Sequence, residues 1–180
     1  ADLTRRSSSI TGGTPWPMYT PLVVPDARTA QGRAGNRQLQ ETLAQHAKVT
    51  CAVVSVGAWA PETSQVNASL PEAEAVQLLT DGVCAETCAL LLDADGNRIH
   101  VLDERRMGLR EDTLRAIPTV IAVSTGPEKI TATRAVLRSG LVSSLVTDTE
   151  VAAAILDWPD SWAQASDFSQ GLAHPVYGRA

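Results

Sequence analysis

The chain has 180 residues, 44% of them apolar, 19% charged and 4% aromatic, which suits one globular domain with a core of Val, Leu, Ile and Ala. A formal net charge of -5 and a pI near 5.1 argue against a nucleic-acid-binding surface. No apolar run approaches the roughly 20 residues of a membrane span, and the start, ADLTRRSSSITGG, has no hydrophobic centre of the kind a signal peptide needs.

Residues 1 to 10 read as a helix ended by Gly12-Gly13. In PMYTPLVVPD, Leu22-Val23-Val24 reads as a short buried strand between prolines. Gln38 to Ala47 is helical, with Leu39 and Leu43 at i, i+4. VTCAVVSVG, 49 to 57, is a continuous β-branched run, the pattern of a parallel strand covered on both faces. Ser69-Leu70-Pro71-Glu72 reads as a capping box opening a helix to about Leu79. Ala89 to Leu92, the turn signal Asp95-Gly96 and Ile99 to Leu102 predict a hairpin. Arg110 to Ala116 is a short helix, Val120 to Val123 a buried strand, and Pro127 to about Arg138 a helix. Leu141 to Val146 is a strand, and Thr147-Asp148-Thr149-Glu150 a second capping box before the helix VAAAILDW. The expected division is a domain over 1–158 and a polar, irregular tail over 159–180, with scattered aromatics that fold back on the domain or pack on a partner.

Strands alternating with helices predict an α/β fold with a mainly parallel, Rossmann-like sheet flanked by helices. Such sheets bind ligands beyond the carboxyl ends of their strands. Those ends are Gly57-Ala58-Trp59, Ser124-Thr125-Gly126 and Thr147-Asp148.

Only two of the fifteen basic residues are lysines, Lys48 and Lys129, and Lys129 falls one turn into the helix after Gly126. The first N–H groups of a helix lack internal partners and carry the positive end of its dipole. Gly126 admits a close approach, Thr125 adds a hydroxyl and Lys129 a full charge, a pattern that suits a phosphate. The alternative is that Lys129 pairs with an exposed carboxylate. Glu86, among small and apolar residues, could accept sugar hydroxyls or act as a buried base; otherwise it is a rim carboxylate. Trp59 either stacks on a ligand or packs, and Asp148 reads as structural through its cap. Cys51, Cys84 and Cys88 read as reduced thiols of a cytoplasmic protein. Cys84 and Cys88 could share a helix face, but with only three histidines in the chain no metal site is expected. No nucleophile triad, GxGxxG or P-loop is visible, so neither a catalytic residue nor a cofactor is expected.

The stretch IPTVIAVSTGPEKITATRAVLRSGLVSSLVTDTEVAAAIL resembles the end of the effector-binding domain of SorC-type (DeoR-like) bacterial transcriptional regulators. CAETCALLLDADGNRI is similar to that family's V-G-[DE]-I-x-G-x-F-F-D-x-x-G-x-x-V, and VVSVGAWAP to its strand ending in G-I-G. The order and spacing agree over about residues 5 to 157. The resemblance implies a fold like that of sugar-phosphate isomerases and deaminases. It also implies a phosphorylated sugar that switches DNA binding by a homo-oligomer. Carried over, Lys129 with Thr125 and Gly126 holds the phosphate, Glu86 a sugar hydroxyl, and Gly57 lines the pocket. Ser124-Thr125-Gly126 departs from the family's usual Gly-Gly pair, and Thr125 restricts the backbone there. No helix-turn-helix is visible, so DNA contact is expected only through a domain outside this chain. The effector domain itself is expected to begin some tens of residues earlier. Two other readings stay open: an isomerase or deaminase, which predicts turnover, and an oligomerisation module with a vestigial pocket, which predicts no ligand response.

Overall fold

A computed structural model describes residues 2–157 of the chain; the tail expected over 159–180 lies outside the described residues. The elements run α1 (Asp2–Thr11), α2 (Ala27–Ala34), α3 (Arg37–His46), β1 (Cys51–Ser55), β2 (Gly57–Ala58), α4 (Gln65–Ser69) and α5 (Glu72–Thr80). There follow β3 (Ala85–Thr87), β4 (Leu90–Leu92), β5 (Arg98–Ile99), α6 (Glu111–Ala116) and β6 (Thr119–Val123). A 3₁₀ turn (Pro127–Lys129), α7 (Ile130–Arg138), β7 (Ser144–Val146) and α8 (Thr149–Leu156) complete the described residues.

The fold is α/β, as expected, but it holds two sheets. One is parallel, in the order β1-β6-β7; the other is antiparallel, in the order β2-β3-β4-β5. Val54 pairs with Ala122 and Ala122 with Leu145, which aligns the carboxyl ends of the three parallel strands. Val54, Val120 and Ala122 join one core cluster with Leu90, Leu92, Leu114, Ala132, Ala135 and Val136. Among the described residues the other face of that sheet is open: Val53 is 68% exposed and Val146 57%. The described residues therefore cover the 49–57 run on one face only. The strand covered on both faces is β4, where Leu90 and Leu92 enter that cluster while Leu91 enters a second one with Trp59, Val66, Leu78 and Leu102.

Several local expectations change. Leu22-Val23-Val24 forms one isolated bridge, Val23 with Arg106, flanked by the bonds Val24 N–H to Arg105 O and Met107 N–H to Leu22 O. With Pro21 and Pro25 on either side it has no length to become a strand. Ser69 does not cap α5; it closes α4, its hydroxyl donating to Val66 O (2.8 Å), and Pro71 precedes α5 without a side-chain cap. Cys84 and Cys88 flank strand β3 rather than sharing a helix face. The Pro127 helix begins as the 3₁₀ turn and becomes α-helical only at Ile130. The short helices α2 and α4 were not expected; Asp26 and Ser64 cap them, accepting from the N–H groups of Thr29 and Asn67. The predicted hairpin is present, but β5 ends at Ile99 and Val101-Leu102 lies in a turn. Its edge is held by Arg98, bonded to Glu111 (3.0 Å), Asp103 (2.7 Å) and Leu91 O (2.7 Å).

Candidate functional site

The parallel strands end side by side. Val56 N–H donates to Val123 O (3.1 Å) and Ser124 N–H to Val146 O (3.1 Å), so the ladder runs one residue past each strand. Beyond it the backbone of β1 turns into β2, which leaves the parallel sheet and pairs with β3, Gly57 opposite Glu86. This switch carries Glu86 to the strand ends. Thr87 fastens the junction, its hydroxyl donating to Ser55 O (3.0 Å).

Glu86 is 7% exposed and each of its oxygens has a fixed donor. The Ser64 hydroxyl donates to Oε1 (3.3 Å) and the Ala89 N–H to Oε2 (3.2 Å). Burial pushes the Glu86 carboxyl above its ordinary value, against the lowering effects of Ala89, Ser64 and the Lys129 charge. Gly57 is required by this arrangement: a Cβ there would lie 2.9 Å from Glu86 Cδ and 3.0 Å from Cγ. Ala89 reaches Glu86 because the two-residue turn between β3 and β4 is left-handed, with φ of 53° at Cys88 and 59° at Ala89. Neither residue is a glycine or asparagine, so the turn stores strain beside the carboxylate.

On the other side, Gly126 adopts φ 96°, open to glycine and hostile to other residues. Its N–H is not free for a ligand. It donates to Asp148 Oδ2 (2.7 Å), while Asp148 Oδ1 accepts from Val151 N–H (2.8 Å) at the start of α8. Those two N–H groups, Val151 first, hold the Asp148 carboxyl below its ordinary value, so it is an anion. Asp148 is thus structural, as expected, and it occupies the backbone donor that had been assigned to a phosphate. The Glu128 carboxylate also folds over Gly126, where a Cβ would collide with it. Ser124 is 1% exposed and bonds the Thr133 hydroxyl (2.7 Å), which donates to Lys129 O (2.7 Å), so the end of β6 is pinned to α7.

Lys129 is half-buried at the junction of the 3₁₀ turn and α7. Its charge acts on Glu86, and it forms no ion pair among the described residues. Thr125 is exposed beside it. The structure therefore brings Gly57, Glu86, Gly126 and Lys129 to one end of the strands, with Thr125 at the rim. Trp59 does not join them. It is 7% exposed in the second core cluster, its indole N–H bonded to Ala75 O (3.0 Å), so it is a core residue and not a stacking platform. Sequence reasoning missed Ser64. A serine ahead of a short polar helix was the available signal for Ser64. Thr147 Oγ1, just past the end of β7 in a strand end the sequence did single out, is buried without a partner among the described residues. No group of His, Cys, Asp and Glu among the described residues could hold a metal ion, and no described helix is long and apolar enough to cross a membrane.

Fold and geometry define an α/β domain with a lysine and a buried carboxylate at the carboxyl ends of its strands, where such sheets receive small ligands. The family described as "Putative sugar-binding domain" matches residues 1–157, and the chain belongs to it. The chain is similar to the transcriptional regulator LsrR of Enterobacter sp. (strain 638), 30% identical over 89 residues, which are 48% of this chain and 28% of that protein. It is similar in structure to a transcriptional regulator from Streptococcus pneumoniae TIGR4, with TM-score 0.77 and 25% identity over 86% of this chain and 60% of that one. The full-length sorbitol operon regulator SorC from Klebsiella pneumoniae gives TM-score 0.71 at 18% identity, over 78% of this chain and 46% of that one, a likeness of fold. The resemblance to SorC-type effector domains therefore holds for family and fold. The chain spans less than two thirds of the length of these relatives.

Proposed function

We propose that this chain is the ligand-sensing domain of a cytoplasmic transcriptional regulator and binds a phosphorylated sugar at its strand ends. In the full-length homo-oligomer the sugar would modulate DNA binding, which a helix-turn-helix domain outside this chain would supply. One observation carries the reading: Lys129, with no ion pair among the described residues, stands at the strand ends within electrostatic reach of buried Glu86. A cation and an acceptor so placed match a phosphate at one end of a ligand and a hydroxyl at the other. With the Gly126 N–H held by Asp148, the phosphate contacts fall to the Lys129 amine and the Thr125 hydroxyl, and Gly57 leaves room beside Glu86. The exposed Glu128 side chain swings away from Gly126 as the phosphate enters. A proton-transfer enzyme would place an acid or base partner against Glu86; here Ser64 and a backbone N–H fill its two oxygens, so sensing is favoured over turnover.

The test is the melting temperature with ribose 5-phosphate, fructose 6-phosphate and glucosamine 6-phosphate, beside the free sugars and inorganic phosphate. A ligand at 100 times its Kd adds about 2.7 kcal/mol, a rise of roughly 5–11 °C. The expected result is a selective rise with one sugar phosphate that Lys129→Ala abolishes. A rise that survives in Lys129→Ala, or turnover of the ligand, overturns the reading.

A further inference from the structure

The Glu86 carboxylate is held by a side chain that no ligand can touch. Ser64 is 2% exposed, and its hydroxyl does two things at once. It accepts from the Asn67 N–H (3.1 Å), which starts α4, and it gives its one proton to Glu86 Oε1 (3.3 Å). The other oxygen is fixed by the Ala89 N–H, and the flank of the side chain by Gly57. Three elements thus meet on one carboxylate: the α4 cap, the strained turn after β3, and the switch from β1 to β2. Of the three, only the Ser64 contact comes from a side chain.

We propose that Ser64 is a positioning residue of the ligand site, orienting Glu86 and keeping it ionised so that it can accept a ligand hydroxyl. The inference rests on the sugar-binding reading for its functional meaning, but the orientation of Glu86 is testable without any ligand. A hydrogen bond to the charged form of a carboxylate favours that form, and burial opposes it. The other charged group acting on Glu86 is Lys129, while Glu86 itself acts on the Cys88 thiol of the neighbouring turn. Burial pushes that thiol up to about 11, so it is neutral over the range in which Glu86 titrates. Loss of the Ser64 proton therefore leaves Lys129 and one backbone N–H to oppose burial, and Glu86 takes up its proton at higher pH.

The experiment is a carboxyl ¹³C NMR titration of Glu86, assigned with Glu86→Gln, in wild type, Ser64→Ala, Ser64→Thr and Ser64→Cys. The alanine variant should titrate at higher pH than wild type and the threonine variant, which keeps the hydroxyl, with it. Cysteine, a weaker donor of similar size, should fall between and serves if the alanine variant does not fold. A purely structural role lowers the melting temperature and leaves the midpoint where it was; identical midpoints in all four proteins overturn the proposal. For the sugar phosphate that raises the wild-type melting temperature, Ser64→Ala should weaken binding about tenfold and move the acidic limb of the binding profile with the midpoint. Unchanged affinity and profile there also overturn it. A midpoint that moves while no sugar phosphate binds wild type sustains the positioning of Glu86 and refutes the sugar reading instead.

Discussion

Among the described residues the antiparallel sheet is enclosed on both faces, whereas the parallel sheet is enclosed on one. Every residue of β3 and β4 is buried, while β1 alternates toward solvent and β7 contains no buried residue. The α/β pattern led to the opposite expectation, with the long apolar run as the inner strand. The difference shows where each part of the site gets its rigidity. Glu86 is fixed by a sheet gripped between two core clusters. Lys129 and Thr125 stand on the connection that leaves the half-covered sheet, free to respond to what arrives.

The largest expected effect breaks the comparison in its plainest form. Leu91→Ala should destabilise the fold by about 2–5 kcal/mol, since Leu91 is fully buried in the second cluster. Val53→Thr, on the open face of β1, should stay within about 0.5 kcal/mol. Urea denaturation of both checks this. Similar losses from the two would mean that the open face is covered in solution.

A smaller effect separates the two halves of the site by pH. Glu86→Gln removes the buried charge, but its NH2 cannot accept, so one of the two donors now on the carboxylate, the Ser64 hydroxyl or the Ala89 N–H, loses its acceptor at a cost of about 1–3 kcal/mol. The sign follows from linkage. Burial raises the folded pKa above its ordinary value, so ionising Glu86 costs the folded state more than the unfolded one. That cost is absent below the unfolded pKa and grows as pH rises through the folded one. The charge part of the difference therefore depends on pH: relative to wild type, Glu86→Gln should lose most stability below about pH 4.3 and recover part of that loss as pH rises through the folded pKa. A constant gap across pH would place the effect in packing, not charge.

How much of this was legible in the sequence differs between the sheets in the same way. The parallel strands, α3, α7 and α8 follow from periodicity and flanking turns, and the lone lysine after Gly126 marked its half of the site. Glu86 was visible as a carboxylate in apolar company. Its holder was not: α4 has five residues, too few for a periodic pattern, so Ser64 had no visible helix to cap. Trp59 was ambiguous because an aromatic after a strand-end glycine reads alike whether it faces a ligand or the core; the Ala75 carbonyl that claims its N–H is sixteen residues away. Asp148 was read as a cap, but its second bond, to Gly126, crosses from β7 to β6, and spacing along the chain does not record it.

The smallest effect tests the strain at the enclosed end. The turn joining β3 to β4 needs positive φ at both central residues, which asparagine and glycine tolerate and alanine does not. The family pattern has glycine where this chain has Ala89. Ala89→Gly relieves the left-handed strain, worth about 1–2 kcal/mol, but adds backbone freedom to the unfolded chain, worth about 0.4–1 kcal/mol in the other direction. The net expectation is a stabilisation near 0.5 kcal/mol, readable as a small rise in the denaturation midpoint with an unchanged slope. The N–H that holds Glu86 Oε2 is kept, so the Glu86 titration should not move. If it does move, the strain itself is what presses that N–H onto the carboxylate, and the enclosed sheet holds its half of the site under tension rather than at rest.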